Sequence, residues 1–109
     1  MDDRKIIVAA NSFTEKYFFE PEFSGIPKPV QDDLRILSVT AANTLRCVFI
    51  IGFHQTTGNL YFETWDEETD EITARTFIEK VRVDQHELIQ SLSLWHKIFI
   101  RKEIDDLND

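Results

Sequence analysis

Cys47 and His54 are the side chains whose types could supply a nucleophile and its general base. The run between them is rich in β-branched and aromatic residues, which indicates a strand. Seven positions along a strand put the two side chains on opposite faces and roughly 23 Å apart. Cys47, the only cysteine of the chain, is therefore predicted to be a buried thiol, and His54 a polar residue at a hairpin edge.

A second pattern, His86-Glu87-Leu88-Ile89-Gln90, resembles the helical motif of zinc proteases up to its last residue. Gln90 occupies the position where that motif needs its second histidine, so the pair of ligands is missing. The chain also has no second cysteine with which to begin a zinc site. We therefore expect no zinc at this pattern.

Residues 66–71 contain five acids among six positions, which suggests a test for calcium binding. An EF-hand loop needs Gly at its sixth position and Glu at its twelfth. Counted from Asp66, these positions hold Glu71 and Phe77, so the segment is predicted to be a solvated acidic turn. The three glycines stand apart and form no phosphate-binding loop. We predict no catalytic, cofactor-binding or metal-binding residue, and a protein that is not an enzyme.

The charge balance argues against two classes of partner. Twelve basic side chains against twenty acidic ones give a net charge of −8, and the basic residues are scattered. Nucleic acids and anionic membranes repel such a surface. No apolar run approaches the roughly 20 residues that cross a bilayer. The N-terminus carries acid where a signal peptide carries positive charge, so a cytoplasmic protein is predicted.

Aromatic residues beside the acidic segment 66–71 form the best candidate for a binding surface. An apolar patch with an acidic rim is typical of a protein–protein contact or a subunit interface. We therefore predict a protein partner or a homodimer, formed through the exposed sheet face or the C-terminal helix. The candidate surface consists of Tyr61, Trp65, Trp95 and Phe99. The alternative is a small-molecule-binding domain with a pocket between helix and sheet, lined by Phe13, Tyr17, Phe53 and Trp95.

The scaffold for these residues is a hairpin over residues 47–65. Its first arm is apolar on both faces, as an interior strand is. Thr57, Gly58 and Asn59 can adopt the turn conformations that reverse the chain. The second arm carries Glu63 and runs into acid, which suits a strand nearer the sheet edge.

The N-terminal segment, residues 2–19, is predicted to be an amphipathic helix. Ile6, Ala10, Phe13 and Tyr17 recur at intervals of three and four residues. Acidic residues at its start and a proline at position 21 suit the two ends of a helix.

Residues 29–45 permit two interpretations. Val30, Leu34, Leu37, Ala41 and Leu45 fit the apolar stripe of a helix. Residues 35–42 also alternate as a strand does, and the interior strand that follows needs a neighbour on each edge. We therefore predict a short helical turn near position 29, then a strand, which together with the hairpin gives a three-stranded meander.

The last third of the chain is predicted to be helical at its end. Asp84 and Glu87 have the spacing of a capping box, which indicates a helix start near Asp84. A stripe that continues back to Asp70 favours one long helix, kinked near Val83, over a fourth strand at residues 72–83. The overall prediction is a single α+β domain over residues 1–102: an N-terminal helix, an antiparallel meander, and a long C-terminal helix packed on the sheet. Residues 103–109 form an acidic tail.

The chain resembles a family of short, uncharacterised bacterial proteins that is typical of anaerobic Gram-positive organisms. The resemblance covers about residues 24–100. It rests on Val30-Gln31-Asp32-Asp33-Leu34, the following meander, Asp70-Glu71-Ile72, and Glu87-Leu88 before a final helix that ends in aromatic residues. It implies a cytoplasmic bacterial protein without an established activity, and it favours the strand interpretation of residues 35–42.

Overall fold

The computed structural model describes residues 2–103, and the chain forms two β-hairpins that are each followed by helical structure. The elements are, in chain order, β1 (Arg4–Asn11), β2 (Lys16–Phe19), a 3-10 turn (Pro21–Phe23), α1 (Lys28–Leu45), β3 (Val48–His54), β4 (Leu60–Trp65), α2 (Glu71–Asp84), α3 (His86–Trp95) and a π-helical turn (His96–Ile100).

The four strands form one antiparallel sheet in the order β2-β1-β3-β4, so β1 and β3 are its interior strands. The predicted α+β class and antiparallel sheet are confirmed. The predicted layout is wrong, because two strands precede the first helix. A bulge in β1 leaves Ile7 between Ile6, which pairs with Gly52, and Val8, which pairs with Ile51.

The predicted N-terminal helix at residues 2–19 is wrong, since this segment is the β1–β2 hairpin. Three consecutive β-branched residues begin at Ile6 and favour a strand, and β3 supplies a partner along the whole of β1. The turn is built locally, because the Asn11 side chain accepts hydrogen bonds from the backbone N–H groups of Phe13 and Thr14. Glu15 completes the turn with a positive φ of 56°.

The predicted strand from Arg35 is also wrong, since α1 is one continuous helix of 18 residues. The helix is favoured over the strand because its apolar stripe is buried: Leu34, Ala41 and Leu45 each lie in the core with at most 1% of their surface exposed. The second neighbour of β3 is β1, which lies in the segment that was predicted to be the N-terminal helix. The helix ends at Leu45, and the C-cap residue Arg46 adopts the left-handed conformation.

The hairpin at residues 47–65 is confirmed. Phe49, Ile50, Ile51 and Phe53 of β3 are all buried, as expected for an interior strand, and β4 lies at the sheet edge. Gly58 turns the chain with a φ of 76°, which a side chain would make costly.

The C-terminal third is helical, as predicted, but it is divided into two helices at Gln85. The helix start near Asp70 is confirmed, because the Asp70 carboxylate accepts a hydrogen bond from the backbone N–H of Thr73. The predicted capping box at Asp84 and Glu87 does not form, since the N-cap of α3 is Gln85 and has no side-chain bond. Of the predicted acidic tail, the structure describes Glu103 alone.

All three helices pack on the sheet face that carries Phe49 and Phe53. Phe77 of α2 contacts Phe49 edge to face, and Trp95 of α3 stacks on Phe53 with ring centroids 6.4 Å apart. None of the described helices is long and apolar enough to span a membrane. The core residues that α1 contributes to this face are Leu34, Ala41, Ala42 and Leu45.

Candidate functional site

The sheet face turned away from the helices is an apolar face that no described helix covers. Side chains alternate along a strand, so the neighbours of Phe49 and Phe53 point away from the helices. The strand registers continue this second face across all four strands. We call it the open face. Its apolar members are Ile6, Ala9, Phe18, Val48, Ile50, Tyr61 and Trp65.

Two aromatic side chains protrude from the open face at its two edges. Phe18 on β2 is 47% exposed and Trp65 on β4 is 49% exposed. Between them, Ile50 on β3 is only 1% exposed although no described helix covers it, because neighbouring side chains enclose it. The open face therefore has a filled centre and unburied aromatic edges, which is typical of a contact surface.

Tyr61 lies flat across β3 because Gly52 has no side chain. A Cβ atom at Gly52 would lie 2.4 Å from Cε1 of Tyr61 and 2.4 Å from the carbonyl oxygen of Lys5. Glycine thus lets the ring cover the strand, and Tyr61 is only 9% exposed. The ring is therefore part of the filled centre of the open face rather than a protrusion.

The charged groups around Tyr61 are paired with one another. The Arg4 guanidinium binds the carboxylates of Asp2 and Glu63 at 3.0 Å each, and it lies 5.5 Å from the centroid of the Tyr61 ring. These bonds raise the pKa of Arg4 and lower the pKa of Asp2. The ion pairs hold Arg4 over the sheet and leave no unpaired carboxylate beside Tyr61.

Opposite charges stand at the two ends of one row of the open face. The row runs across the sheet through the aligned residues Lys16, Asn11, Val48 and Trp65. Lys16 is exposed and forms no ion pair with a described residue. Asp66 follows Trp65 at the other end and begins the acidic turn. The row therefore ends in a basic corner and an acidic corner.

The structure separates the four residues of the predicted surface into two pairs. Tyr61 and Trp65 lie on the open face. Trp95 and Phe99 lie on the helical side of the sheet. Trp95 stacks on Phe53, and the Phe99 ring, which is 60% exposed, lies with its centroid 5.6 Å from that of Trp95. The four side chains do not form one surface.

Sequence reasoning missed Ile6, Ala9 and Phe18 as members of the surface. The signal for Phe18 is a second apolar run after the Asn11 turn. Ile6 and Ala9 carry no alternating signal, because they lie in the unbroken apolar run of residues 6–10 and only the bulge at Ile7 places them on one face.

The predicted aromatic pocket is not assembled. Phe53 and Trp95 fill their shared space by stacking, and Phe13 lies in the β1–β2 turn, 46% exposed. Tyr17 lines a different space, a cleft of about 470 Å³ between the first hairpin and α1. We call it the α1 cleft.

The other residues whose side chains could take part in catalysis or metal binding are far apart or unreactive. Cys47 precedes β3 and His54 ends it, so the whole strand separates them. Burial raises the pKa of the Cys47 thiol to about 11, which keeps it protonated and a poor nucleophile. His54 approaches the carboxylate of Asp3 at 3.8 Å. Within residues 2–103, no group of three or more His, Cys, Asp or Glu side chains is placed to hold a metal ion.

The fold and this surface define a small α+β domain with a four-stranded sheet that is covered by helices on one face. The chain belongs to the family of unknown function DUF6145, which matches residues 4–104. The predicted resemblance to a family without an established activity is thus confirmed, and the match reaches further toward the N-terminus than residues 24–100. No curated protein and no solved structure matched the chain.

Proposed function

We propose that this protein is a non-catalytic binding module whose open face binds the open face of a second copy. The observation that carries the proposal is the pair of aromatic edges, Phe18 and Trp65, which leave about half of their surface in water on a face with a filled apolar centre. Aromatic side chains in this position are the residues that contribute most to the free energy of protein–protein association.

The charges of the open face support a second copy as the occupant. Two stacked sheets keep their strands within about 30° of each other. A two-fold axis parallel to the strands places β2 of one copy over β4 of the other. Lys16 then meets Trp65 and Asp66 of the second copy, and the same contact is made twice. The basic and acidic corners are thus complementary in this arrangement.

The size of the open face indicates a reversible dimer. Four strands spaced by about 4.8 Å, with an average length of about 20 Å for eight, four, seven and six residues, give a face of roughly 20 Å by 20 Å. Two such faces bury roughly 800 Å² in total, which is the size of weak and transient interfaces. The dimer is therefore expected to dissociate at low concentration.

A cytoplasmic location is part of the proposal. Its support is Cys47, the only cysteine, which is fully buried and has no partner for an internal disulfide. A domain that depends on core packing without disulfides suits a reducing compartment.

Sedimentation velocity over a concentration series tests the dimer. We expect a monomer–dimer equilibrium with a dissociation constant of about 100 µM for the unmodified chain. Phe18→Lys and Trp65→Lys should each raise the dissociation constant at least tenfold, which is a loss of about 1.4 kcal/mol or more. Each variant places a charge where the dimer would bury an aromatic ring. Ile72→Lys is the matched control, since Ile72 is 75% exposed on α2, on the other side of the sheet.

The control should dimerise as the unmodified chain does. A chain that stays monomeric up to about 1 mM would refute the proposal, because even a weak interface of this size is occupied there. So would an equal loss of dimer in Ile72→Lys and Trp65→Lys, since the association would then not depend on the open face.

A further inference from the structure

The α1 cleft lies between α1 and the first hairpin, and Asn11 and Lys16 at its rim also belong to the row of the open face described above. Its volume of about 470 Å³ is in the range of sites for small molecules. Ala10 and Ala42, both buried, and Val39 of α1 give it apolar walls. The space is therefore suited to the apolar part of a small ligand.

Tyr17 gives the cleft a hydrogen-bond donor without a partner. Its hydroxyl oxygen is buried and makes no hydrogen bond to any described residue. Buried polar groups are nearly always paired, so an orphaned hydroxyl beside a cleft needs an explanation. Burial raises the pKa of Tyr17 to about 12, so the phenol stays protonated near neutral pH. Its O–H group can therefore donate a hydrogen bond to a ligand.

One basic side chain lies over the Tyr17 ring in the cleft, and a second basic residue stands at the rim. The Arg35 guanidinium lies 5.5 Å from the centroid of the Tyr17 ring, and Lys16 is the residue before Tyr17. Neither forms an ion pair with a described residue, although the chain has eight more acidic than basic side chains. Glu15 is the one carboxylate that lines the cleft, so its lining carries a formal charge of +1 (two cations and one anion).

The nearest acid on α1 is already neutralised. Asp32 lies one helical turn before Arg35, and its carboxylate accepts a hydrogen bond from the Lys28 ammonium. Thr40 and Asn43 add a hydroxyl and an amide to the lining, and their side chains make no hydrogen bond within the described residues. The free polar groups of the cleft are thus mainly donors.

We propose that the α1 cleft binds a small organic anion. Its carboxylate or phosphate group is held by Arg35 and the Tyr17 hydroxyl, and its apolar part lies against Val39 and Ala42. The planar guanidinium of Arg35 matches the geometry of either anionic group. Neither Arg35 nor Tyr17 takes part in the proposed dimer contact, so the two proposals can be tested separately.

The test is a titration of the isotope-labelled protein with sodium benzoate and with sodium phenyl phosphate, followed by amide chemical shifts. We expect saturable shifts at Lys16, Tyr17 and Arg35 with a dissociation constant below about 10 mM for at least one probe. Benzamide, which has the shape of benzoate without its charge, should bind at least about tenfold more weakly. The anion that binds better identifies the group that the cleft prefers.

Two variants separate binding from folding. Arg35→Gln should weaken the better probe at least about tenfold, while Arg75→Gln, which removes the charge of another exposed arginine on α2, should not. Tyr17→Phe should weaken it several-fold without lowering the stability of the free protein, because it removes an oxygen that has no described partner. Tyr61→Phe is its control on the open face.

Three results would overturn the proposal. They are the absence of saturable shifts with both anions, equal affinity for benzamide, and unchanged affinity in Arg35→Gln. None of these results bears on the dimer, which is measured without ligand.

Discussion

His96 is the clearest case of a single residue that ties two parts of the fold together. It is 1% exposed, its ring lies 4.7 Å from that of Phe53, and a Cβ atom at Gly58 would be 2.8 Å from its Nδ1. Nδ1 makes no hydrogen bond to a described residue. The π-helical turn is thus held against the turn of the second hairpin by a ring whose burial disfavours its charged form.

Acidification is expected to destabilise the protein through His96. Burial first, and the nearby Arg101 second, lower the pKa of His96 below its usual 6.5, while Asp3 and Glu103 oppose this weakly. The unfolded chain therefore binds a proton that the folded chain resists. The free energy of unfolding should be unaffected by His96 above about pH 6.5 and should fall below it, by at most about 1.4 kcal/mol per pH unit.

Urea denaturation at pH 7.5 and 5.5 measures this effect as a difference between variants. His96→Gln should show a smaller loss of stability on acidification than the unmodified chain. His86→Gln serves as the control, because His86 is exposed at the start of α3. If His96→Gln and the unmodified chain lose stability equally, His96 does not carry the pH dependence.

At the scale of elements, the sequence identified the parts whose signal is local. The second hairpin was predictable because an apolar run, a Gly58 turn and an acidic end occur in order. The helix start at Asp70 was predictable for the same reason. The first hairpin and α1 were not, because the apolar residues of 2–19 recur with a helical spacing, residues 35–42 alternate as a strand does, and only the partners of each segment decide its structure. Three of the seven apolar members of the open face lie on β1 and β2, and they were missed for this reason.

The helical interpretation of residues 28–45 has a direct energetic test. Leu34 is fully buried on the inner face of α1, whereas Ile36, two residues later in the same helix, is 65% exposed. Leu34→Ala should therefore cost about 2–5 kcal/mol of unfolding free energy, and Ile36→Ala less than about 0.5 kcal/mol. Chemical denaturation of both variants measures the contrast. Similar losses at the two positions would contradict the face that α1 buries.

At the scale of the whole molecule, net charge opposes the proposed association. Each chain carries a charge of −8, so two copies repel one another at a distance. The two contacts between a basic and an acidic corner act only at short range and are weaker than this overall repulsion. Salt screens the repulsion over a Debye length of about 10 Å at 0.1 M.

Raising the sodium chloride concentration should therefore strengthen the dimer. Between about 20 and 300 mM salt we expect its dissociation constant to fall several-fold by sedimentation velocity. Lys16→Gln should form a weaker dimer at every salt concentration and keep the same direction of change. A dimer that weakens steadily with salt would mean that local ion pairs, rather than apolar contact, hold it.

The sheet order β2-β1-β3-β4 gives the chain an internal pseudo-symmetry. Each half is a hairpin followed by a helix, and a rotation of 180° about the sheet normal between β1 and β3 exchanges the two halves. The first strand of each half finds its inner neighbour only in the other half. Neither half can complete its own sheet, so the two are expected to fold and unfold as one cooperative unit, with the central β1–β3 seam as the last contact to be made.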